Sequence, residues 1–385
     1  MKQPNIVFLS SGHSPFSSRL FYKELRSLKK RYNILTIIAP YEKAKEITEN
    51  INIIGIKKYR SRYNRLSTLS ALYKKALKIH PNILHCHEPD SLLVCFLIKR
   101  KFPYVKVIYD CHEFHPYSFT ENYPSTLRNP AKNLIEKYEN SLASKIDAVI
   151  AVNQRLAKRF RNYNKSVIEL PNYPSLDIID NNVKKRELFS SSKVRLIYIG
   201  TLSTDRGLFK MLEVVKELKK HHPIELTLMG KFRSSGVKKR YSLKIEKYQI
   251  SDSVKYLGHL SHKETVKNLG EADIGVFLLD KKERYMWGEP TKYFEYTASG
   301  LPVIITDLPA KRALIEKNKN GILVNPGSID DVVKAVIFLI NNKEEAKKMS
   351  ENGMRAFYET YNWSKIESKL LNLYATLCNE DDIAS

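Results

Sequence analysis

The chain runs through one folding pattern twice. Short apolar runs that read as buried strands alternate with stretches of helical period. Strand candidates in the first pass are Ile6–Leu9, Ile34–Ala39, Ile83–His85, Val107–Tyr109, Ala148–Ala151 and Val167–Leu170. The second pass offers Val194–Ile199, Leu226–Met229, Val254–Leu257, Ile274–Leu278 and Val303–Thr306. Between strands, residues such as Leu66, Leu69, Tyr73 and Leu77 recur with the spacing of one helix face. Strand–helix alternation of this kind predicts a parallel sheet covered by helices on both faces. The segment PNYPSLDIIDNNVKKRELFSSSK, residues 171–193, has no period and is rich in Pro, Asn and Ser, so the two passes are separated by a linker. The expected fold class is therefore α/β, with two doubly wound Rossmann-like domains facing a central cleft. The domains are placed at 1–173 and 194–360, with the linker at 174–193. A last amphipathic helix, 361–378, carries Trp363, Ile366, Leu370, Leu373, Tyr374 and Leu377 on its apolar face. In such sheets ligands bind beyond the carboxyl ends of the strands.

Several classes are disfavoured at once. The four cysteines, Cys86, Cys95, Cys111 and Cys378, have neither Cys-x-x-Cys nor mixed His/Cys metal spacing, which points to reduced thiols, a cytoplasmic protein and no metal site. The opening MKQPNIVFLSS reads as a first strand rather than a signal peptide, and no apolar run approaches a membrane span. The net charge of +24 is concentrated in residues 1–185, where 32 Lys+Arg face 15 Asp+Glu. A field of this sign attracts an anionic membrane, nucleic acid or anionic sugar substrates. The segment KKYRSRYNRLSTLSALYKK, residues 57–75, is the strongest basic and aromatic candidate for such a contact.

The chemistry is concentrated in GEPTKYFEYTASGLPVIIT, residues 288–306. Lys292 and Glu295 stand three apart on one face at a helix start, before a Gly-Leu-Pro break and a buried strand. A helix N-terminus with a cation beside it is a seat for a diphosphate, and a carboxylate one turn on can accept from ribose hydroxyls. Earlier, IYIGTLSTDRGL, residues 197–208, ends a strand at Gly200 and brings Arg206 to a helix start, with a planar charged fork suited to phosphate oxygens. SSGHSPFSSR, residues 10–19, is a first-strand loop in which Gly12 permits close backbone approach, yet it is no Gly-x-Gly-x-x-Gly fingerprint, which counts against a nicotinamide enzyme. Two further loops, HCHEPDS at 85–91 and YDCHEFHP at 109–116, follow strands where ligand loops belong.

Together these segments resemble the retaining GT-B glycosyltransferases of the glycogen and sucrose synthase superfamily. The resemblance is to the family 4-like, bacterial surface-polysaccharide branch, with its Pro-x-Lys-x-x-Glu-Tyr motif before Gly-x-Pro-Val. It implies a nucleotide-diphosphate sugar as substrate, a UDP-sugar being favoured, and no cofactor. The resemblance casts Arg206 and Lys292 as the cations that hold the diphosphate, with Gly200 and Thr201 in the same loop. Thr201 replaces the family's first arginine, and Arg206 stands at its lysine position. Glu295 would bind the ribose, and Gly258, His259 and Leu260 the base. The family's second glutamate falls at Trp287, with Glu289 two residues later. The Asp-x-His-Glu match has His112 facing the donor sugar or diphosphate by donating a hydrogen bond, and Glu113 near the acceptor, with His85 a further acceptor-side candidate. His87 and His115 read as structural histidines. The terminal helix would pack back on the N-terminal domain.

The expected activity is transfer of a sugar to a glycan or lipid-linked acceptor in surface polysaccharide synthesis. It would be metal-independent and take place on the inner face of the plasma membrane, with no nucleic acid partner. The competing readings are a UDP-sugar epimerase of the same shape and a non-catalytic basic protein that binds nucleic acid or membrane.

Overall fold

The computed structural model describes residues 3–57, 65–121, 123–176 and 187–379. Residues 58–64 of the basic segment and 177–186 of the linker lie outside the described residues. The chain divides into two compact units, one of residues 1–172 with 366–385, the other Tyr173–Lys365.

The first unit is built on an eight-stranded sheet of β1 (Ile6–Leu9), β2 (Leu35–Pro40), β3 (Lys45–Thr48), β4 (Ile51–Ile56), β5 (Ile83–Cys86), β6 (Lys106–Cys111), β7 (Ala148–Ala151) and β8 (Val167–Glu169). Its order is β3-β4-β2-β1-β5-β6-β7-β8, parallel throughout except that β3 pairs antiparallel with β4. Strands β1, β2, β5 and β7 are buried along their whole length, as strands covered on both faces must be. The strand order reverses between β1 and β5, so the loops after these two strands flank the switch point where such sheets bind ligands. The β3–β4 hairpin has no counterpart in the sequence reading. β3 alternates exposed and half-buried residues, a short edge strand with little apolar signal.

The apolar spacing of Ser17–Lys30 predicts a helix between the first two strands; the structure has a π-helical turn, Leu20–Leu25, followed by one short α turn, Arg26–Leu28. Arg19, Lys23 and Glu24 are buried here, and an inward-facing charged set explains why the apolar period alone misjudged the segment. From the C-terminal segment, Tyr374 donates or accepts at His85 Nδ1 (2.8 Å), and Lys30 bonds Glu367 (2.7 Å).

The second unit has a six-stranded all-parallel sheet of β9 (Val194–Ile199), β10 (Ile224–Met229), β11 (Val254–Gly258), β12 (Ile274–Phe277), β13 (Val303–Thr306) and β14 (Gly321–Val324). Its order, β11-β10-β9-β12-β13-β14, switches between β9 and β12. The core runs from Leu196 and Tyr198 through the helix Leu208–Leu218 to Tyr293, Phe294 and Tyr296. Two doubly wound, Rossmann-like α/β sheets are what the strand–helix alternation calls for. Among the described residues no helix is long and apolar enough to cross a membrane.

Candidate active site

In the second unit three neighbouring strands, β9, β10 and β11, each end in a glycine of positive φ: Gly200 at +125°, Gly230 at +141° and Gly258 at +72°. Gly200 donates to Met229 O (2.8 Å) and Gly230 to Gly258 O (2.6 Å), so the strand ends are laced side to side. A Cβ on Gly230 would stand 1.9 Å from Gly200 O, while a Cβ on Gly200 would stand 2.1 Å from Lys292 Cε. Lys292 thus lies directly across the Gly200 backbone, a contact that a side chain there would destroy. A Cβ on Gly258 would meet nothing within 4 Å. His259 beyond it is exposed, and Leu260 is half-buried.

Lys292 belongs to the first turn of the helix Thr291–Ala298, introduced by Pro290. Its ammonium is 5.9 Å from the Phe277 ring centroid. Burial pushes the Lys292 amine down to about 8, the Arg206 guanidinium adds to the fall, and Glu295 opposes it. Arg206, distant in sequence, therefore joins Lys292 and Glu295 in one electrostatic group. Two cations held close with one carboxylate leave a surplus of positive charge, which an anion would relieve.

Arg206 closes a 3₁₀ turn, Thr204–Arg206, before Gly207 (φ 78°) opens the helix Leu208–Leu218. A Cβ on Gly207 would meet Leu278 O at 2.2 Å, which fixes the turn against the end of β12. The buried Asp205 anchors this turn. It accepts from Ser203 Oγ (2.7 Å) and Tyr285 OH (2.7 Å) and pairs with Arg233 (3.3 Å) and Arg284. Burial alone would raise its carboxyl; the Ser203 and Tyr285 hydrogen bonds with the Arg284 and Lys282 charges outweigh that and hold it below the usual range. Thr201 is exposed, and its carbonyl accepts from Tyr198 OH (3.0 Å).

Lys311 was not foreseen. It is 1% exposed, and its ammonium donates to Tyr285 O and to Gly288 O (2.6 Å). It therefore staples the loop that leads through Glu289 and Pro290 into Lys292. Burial pushes its amine down to about 7, with Glu289 opposing. The available signal was positional: Lys311 stands in the first turn of the helix Pro309–Asn318, where cations are disfavoured unless something else holds them. Trp287, at the family's glutamate position, is 48% exposed, and Glu289 is half-buried.

In the first unit the loops after β1, β5 and β6 are cross-linked by carboxylates. Glu88 accepts from Ser10 Oγ (2.6 Å), Ser11 N (3.1 Å) and Gly12 N (3.2 Å). The Gly12 amide is thus engaged by Glu88 from the loop after β5. Asp90 accepts from Ser11 Oγ (2.8 Å) and Arg65 Nε (2.8 Å). Asp110 is fully buried and receives the Arg19 fork at 2.7 and 3.0 Å, with His112 Nε2 at 2.9 Å. Burial would raise the Asp110 carboxyl, but Arg19 and His112 hold it well below the usual range.

The His112 ring is pushed down to about 3, by burial first and by Arg19 and His87, against the pull of Asp110. A neutral ring whose Nε2–H is given to Asp110 has Nδ1 left as an acceptor. In this tautomer the ring offers a substrate an acceptor at Nδ1, where the sequence reading has it donate. His85 also changes role. It has no exposed surface, bonds Tyr374, and stacks on His87 (4.7 Å, 17°) and against Phe8 (4.4 Å), so it is a core histidine and not an acceptor contact. The side chain of Glu113 is 58% exposed.

Glu24, His85, His87 and Asp110 bring ligand-type atoms within 4.8 Å of one another. The His85 and His87 rings, however, are stacked in nearly parallel planes, so their in-plane lone pairs do not converge on one ion. Arg19 already serves both carboxylates, at 2.7 Å from each. A second cluster, Cys111, His115 and Glu139, has its carboxylate taken by Tyr109 OH (2.5 Å) and Arg159 (2.7 Å).

Two family models match in tandem: glycosyltransferase family 4 over residues 8–172 and glycosyl transferases group 1 over residues 180–356. The chain belongs to the family 4-like glycosyltransferases of the GT-B fold. It is 19% identical to glycogen synthase of Mycobacterium tuberculosis over 55% of this chain, spanning about half (51%) of that relative's length. It is 22% identical to TuaC of Bacillus subtilis, a glycosyltransferase assigned to teichuronic acid biosynthesis, over 81% of this chain and 76% of the relative. Its fold is similar to that of HepE from Anabaena, solved with UDP and glucose. The TM-score is 0.73 at 12% identity, covering 97% of this chain and 99% of that one. As a GT-B glycosyltransferase the chain carries its group 1 match on the unit that holds Gly200, Arg206, Lys292 and Glu295.

Proposed function

We propose that this protein is a retaining glycosyltransferase that moves a sugar from a nucleotide-diphosphate donor, a UDP-sugar being favoured, to a glycan or lipid-linked acceptor of a bacterial surface polysaccharide. The observation that carries the reading is the Lys292 side chain laid across Gly200 with Arg206 and Glu295 as its charged neighbours. Arg206 and Lys292 hold the diphosphate and offset its charge as the bond to the sugar breaks, work that preorganised charge does at several kcal/mol. Glu295 accepts from the ribose, and Gly258, His259 and Leu260 line the base. His112 accepts a hydrogen bond from a sugar hydroxyl, and Glu113 serves the acceptor. Departure of the diphosphate from the face that the acceptor enters, with these cations in place of a protein nucleophile, gives retention. The basic N-terminal unit works against an anionic membrane surface. The resemblance to the surface-polysaccharide branch and the likeness to TuaC support the acceptor class.

The test is thermal stabilisation by UDP, GDP, dTDP and ADP, on the wild type and on Glu295→Ala. A ligand at about 100 times its dissociation constant adds roughly 2.7 kcal/mol to a folded state that alone binds it. UDP is expected to stabilise selectively, and the variant to lose the effect. Undiminished stabilisation of the variant would remove Glu295 from the ribose; no response to any of the four would refute the donor site.

A further inference from the structure

The helix Ser125–Ala143 carries an apolar stripe that its own unit leaves open. Leu127 is 58% exposed, Leu134 70% and Tyr138 39%. Its buried residues, Glu139, Asn140, Leu142 and Ala143, are confined to the last turns. With the half-buried Ala131 between them, these apolar positions follow one another at steps of four, three and four residues, which draws one line along a helix. Single exposed leucines are ordinary on a protein surface; a continuous apolar line marks a contact. On the helical wheel Arg128 and Lys132 lie to one side of the line and Lys137 to the other, while Glu136 lies opposite.

The stripe leads to the switch-point loops. Tyr138 lies close enough to Asp90 and Arg65 for both charges to act on its hydroxyl. Asp90 in turn binds Arg65 and the Ser11 hydroxyl of the loop after β1. The helix also packs against His115–Thr120, whose Phe119 ring lies under Arg65 (5.1 Å).

We propose that the face Leu127–Ala131–Leu134–Tyr138 lies in the headgroup region of an anionic bilayer, where it presents the loops after β1 and β5 to a lipid-linked acceptor. This rests on the acceptor reading above and narrows it to an amphiphile met at the membrane. An apolar line flanked by cations is the pattern of a helix that lies in the interface, its aliphatic residues among the acyl chains and its cations among phosphates. The excess of 32 Lys+Arg over 15 Asp+Glu in residues 1–185 is complementary to that surface. A second copy on the same face would bring two sets of Arg128, Lys132 and Lys137 into one interface. Nucleic acid would be met by a centre that is aliphatic, with one tyrosine and no stacking platform.

The experiment is co-sedimentation of the full chain with phosphatidylcholine vesicles, with and without about 30 mol% phosphatidylglycerol, at low and raised salt. Leu127→Ser/Leu134→Ser and Arg128→Ser/Lys137→Ser are compared with the wild type. Melting temperature and UDP stabilisation are measured on each as controls. The wild type is expected to sediment with the anionic vesicles, and the leucine variant to partition about tenfold more weakly at unchanged melting temperature and UDP response. The cation variant is expected to lose the preference for anionic lipid. Equal partitioning of the leucine variant would overturn the assignment to this helix and leave the membrane reading standing. No sedimentation of the wild type at low salt would overturn both, while the nucleotide site is judged separately by the UDP response. Concentration-dependent dimerisation abolished by the leucine variant would assign the face to self-association and overturn the proposal.

Discussion

Raising the pH from 7 to 9 is expected to weaken nucleoside-diphosphate binding through one amine. Lys292 in the free protein loses its proton around pH 8, because burial and the Arg206 cation both disfavour the ammonium. A bound diphosphate adds negative charge beside it and lifts that pKa, so binding is coupled to proton uptake. The sign follows: the ammonium is the binding form, affinity is full below the free-state pKa, and it falls as pH rises through it. With a free-state value of about 8 and a bound value well above 9, the dissociation constant rises about tenfold between pH 7 and 9, nearly all of it above pH 8. The diphosphate's own last proton, with a pKa near 6, is already gone over this window. Titration calorimetry with UDP in buffers of different ionisation enthalpy reads both quantities, the affinity and the protons taken up. Uptake should approach one proton by about pH 9 and be near zero at pH 7. Lys292→Arg is the control, since a guanidinium stays charged throughout and should bind with a flat profile. A dissociation constant that does not change between pH 7 and 9, or a slope that persists in Lys292→Arg, would refute the assignment of this amine to the diphosphate.

Three other outcomes follow from the same geometry. Gly200→Ala places a Cβ 2.1 Å from Lys292 Cε, a flexible group that can be pushed aside, whereas Gly230→Ala meets the Gly200 carbonyl at 1.9 Å, which cannot move alone. Both bear strained φ at a cost of about 1–3 kcal/mol, so Gly200→Ala should chiefly lose UDP affinity and Gly230→Ala chiefly lose stability in urea melts; equal behaviour would contradict the contact. Lys311, with a folded pKa near 7 against an unfolded value of 10.5, binds fewer protons folded than unfolded in that interval. Its contribution makes stability rise with pH from about 7 to 10, and Lys311→Met should remove that rise and increase the donor KM by loosening the loop at Tyr285–Gly288. Asp110→Asn leaves the buried Arg19 with Glu24 as its remaining carboxylate and removes charged hydrogen bonds worth about 1–3 kcal/mol of stability by chemical denaturation; a stability equal to that of the wild type would mean that Arg19 is not held by Asp110.

The parts legible in the sequence are those with a local signature. Val303–Thr306 opens with three consecutive apolar residues and is a strand. Lys292 and Glu295 are three apart on one helix, so their common face follows from helical geometry alone. Gly200 could be read as a strand end because a glycine after an apolar run is a local event. What it makes room for, the Lys292 side chain, comes from ninety-two residues further along the chain. The β3–β4 hairpin was invisible for the opposite reason: Lys45, Glu46, Ile47 and Thr48 have one strong apolar residue among them, and pairing with Ile51–Ile56 supplies the rest.

His85, His87 and His112 show where local reading fails. His85 closes the expected strand Ile83–His85, His87 and His112 follow strands in loops of the right kind, and sequence ranks the three only by motif. Burial and partners separate them. Tyr374, from the far end of the chain, takes His85 into the core, and the flat stack puts His87 behind it. His112 alone combines a partly exposed ring with a buried anion, and that anion is held ionised by Arg19 from the first loop. The pairing of Arg19 with Asp110 spans ninety-one residues and was absent from the sequence reading, yet it decides which nitrogen of His112 carries the proton. The chemistry open to His112 is therefore set by a residue that touches it only through Asp110. Asp110→Asn tests this link too: an amide can donate to Nε2, turn the ring to its other tautomer, and convert the acceptor at Nδ1 into a donor. Histidine ring ¹⁵N shifts would report the exchange directly, and an unchanged tautomer in a folded Asp110→Asn protein would show that His112 is oriented by something other than this carboxylate.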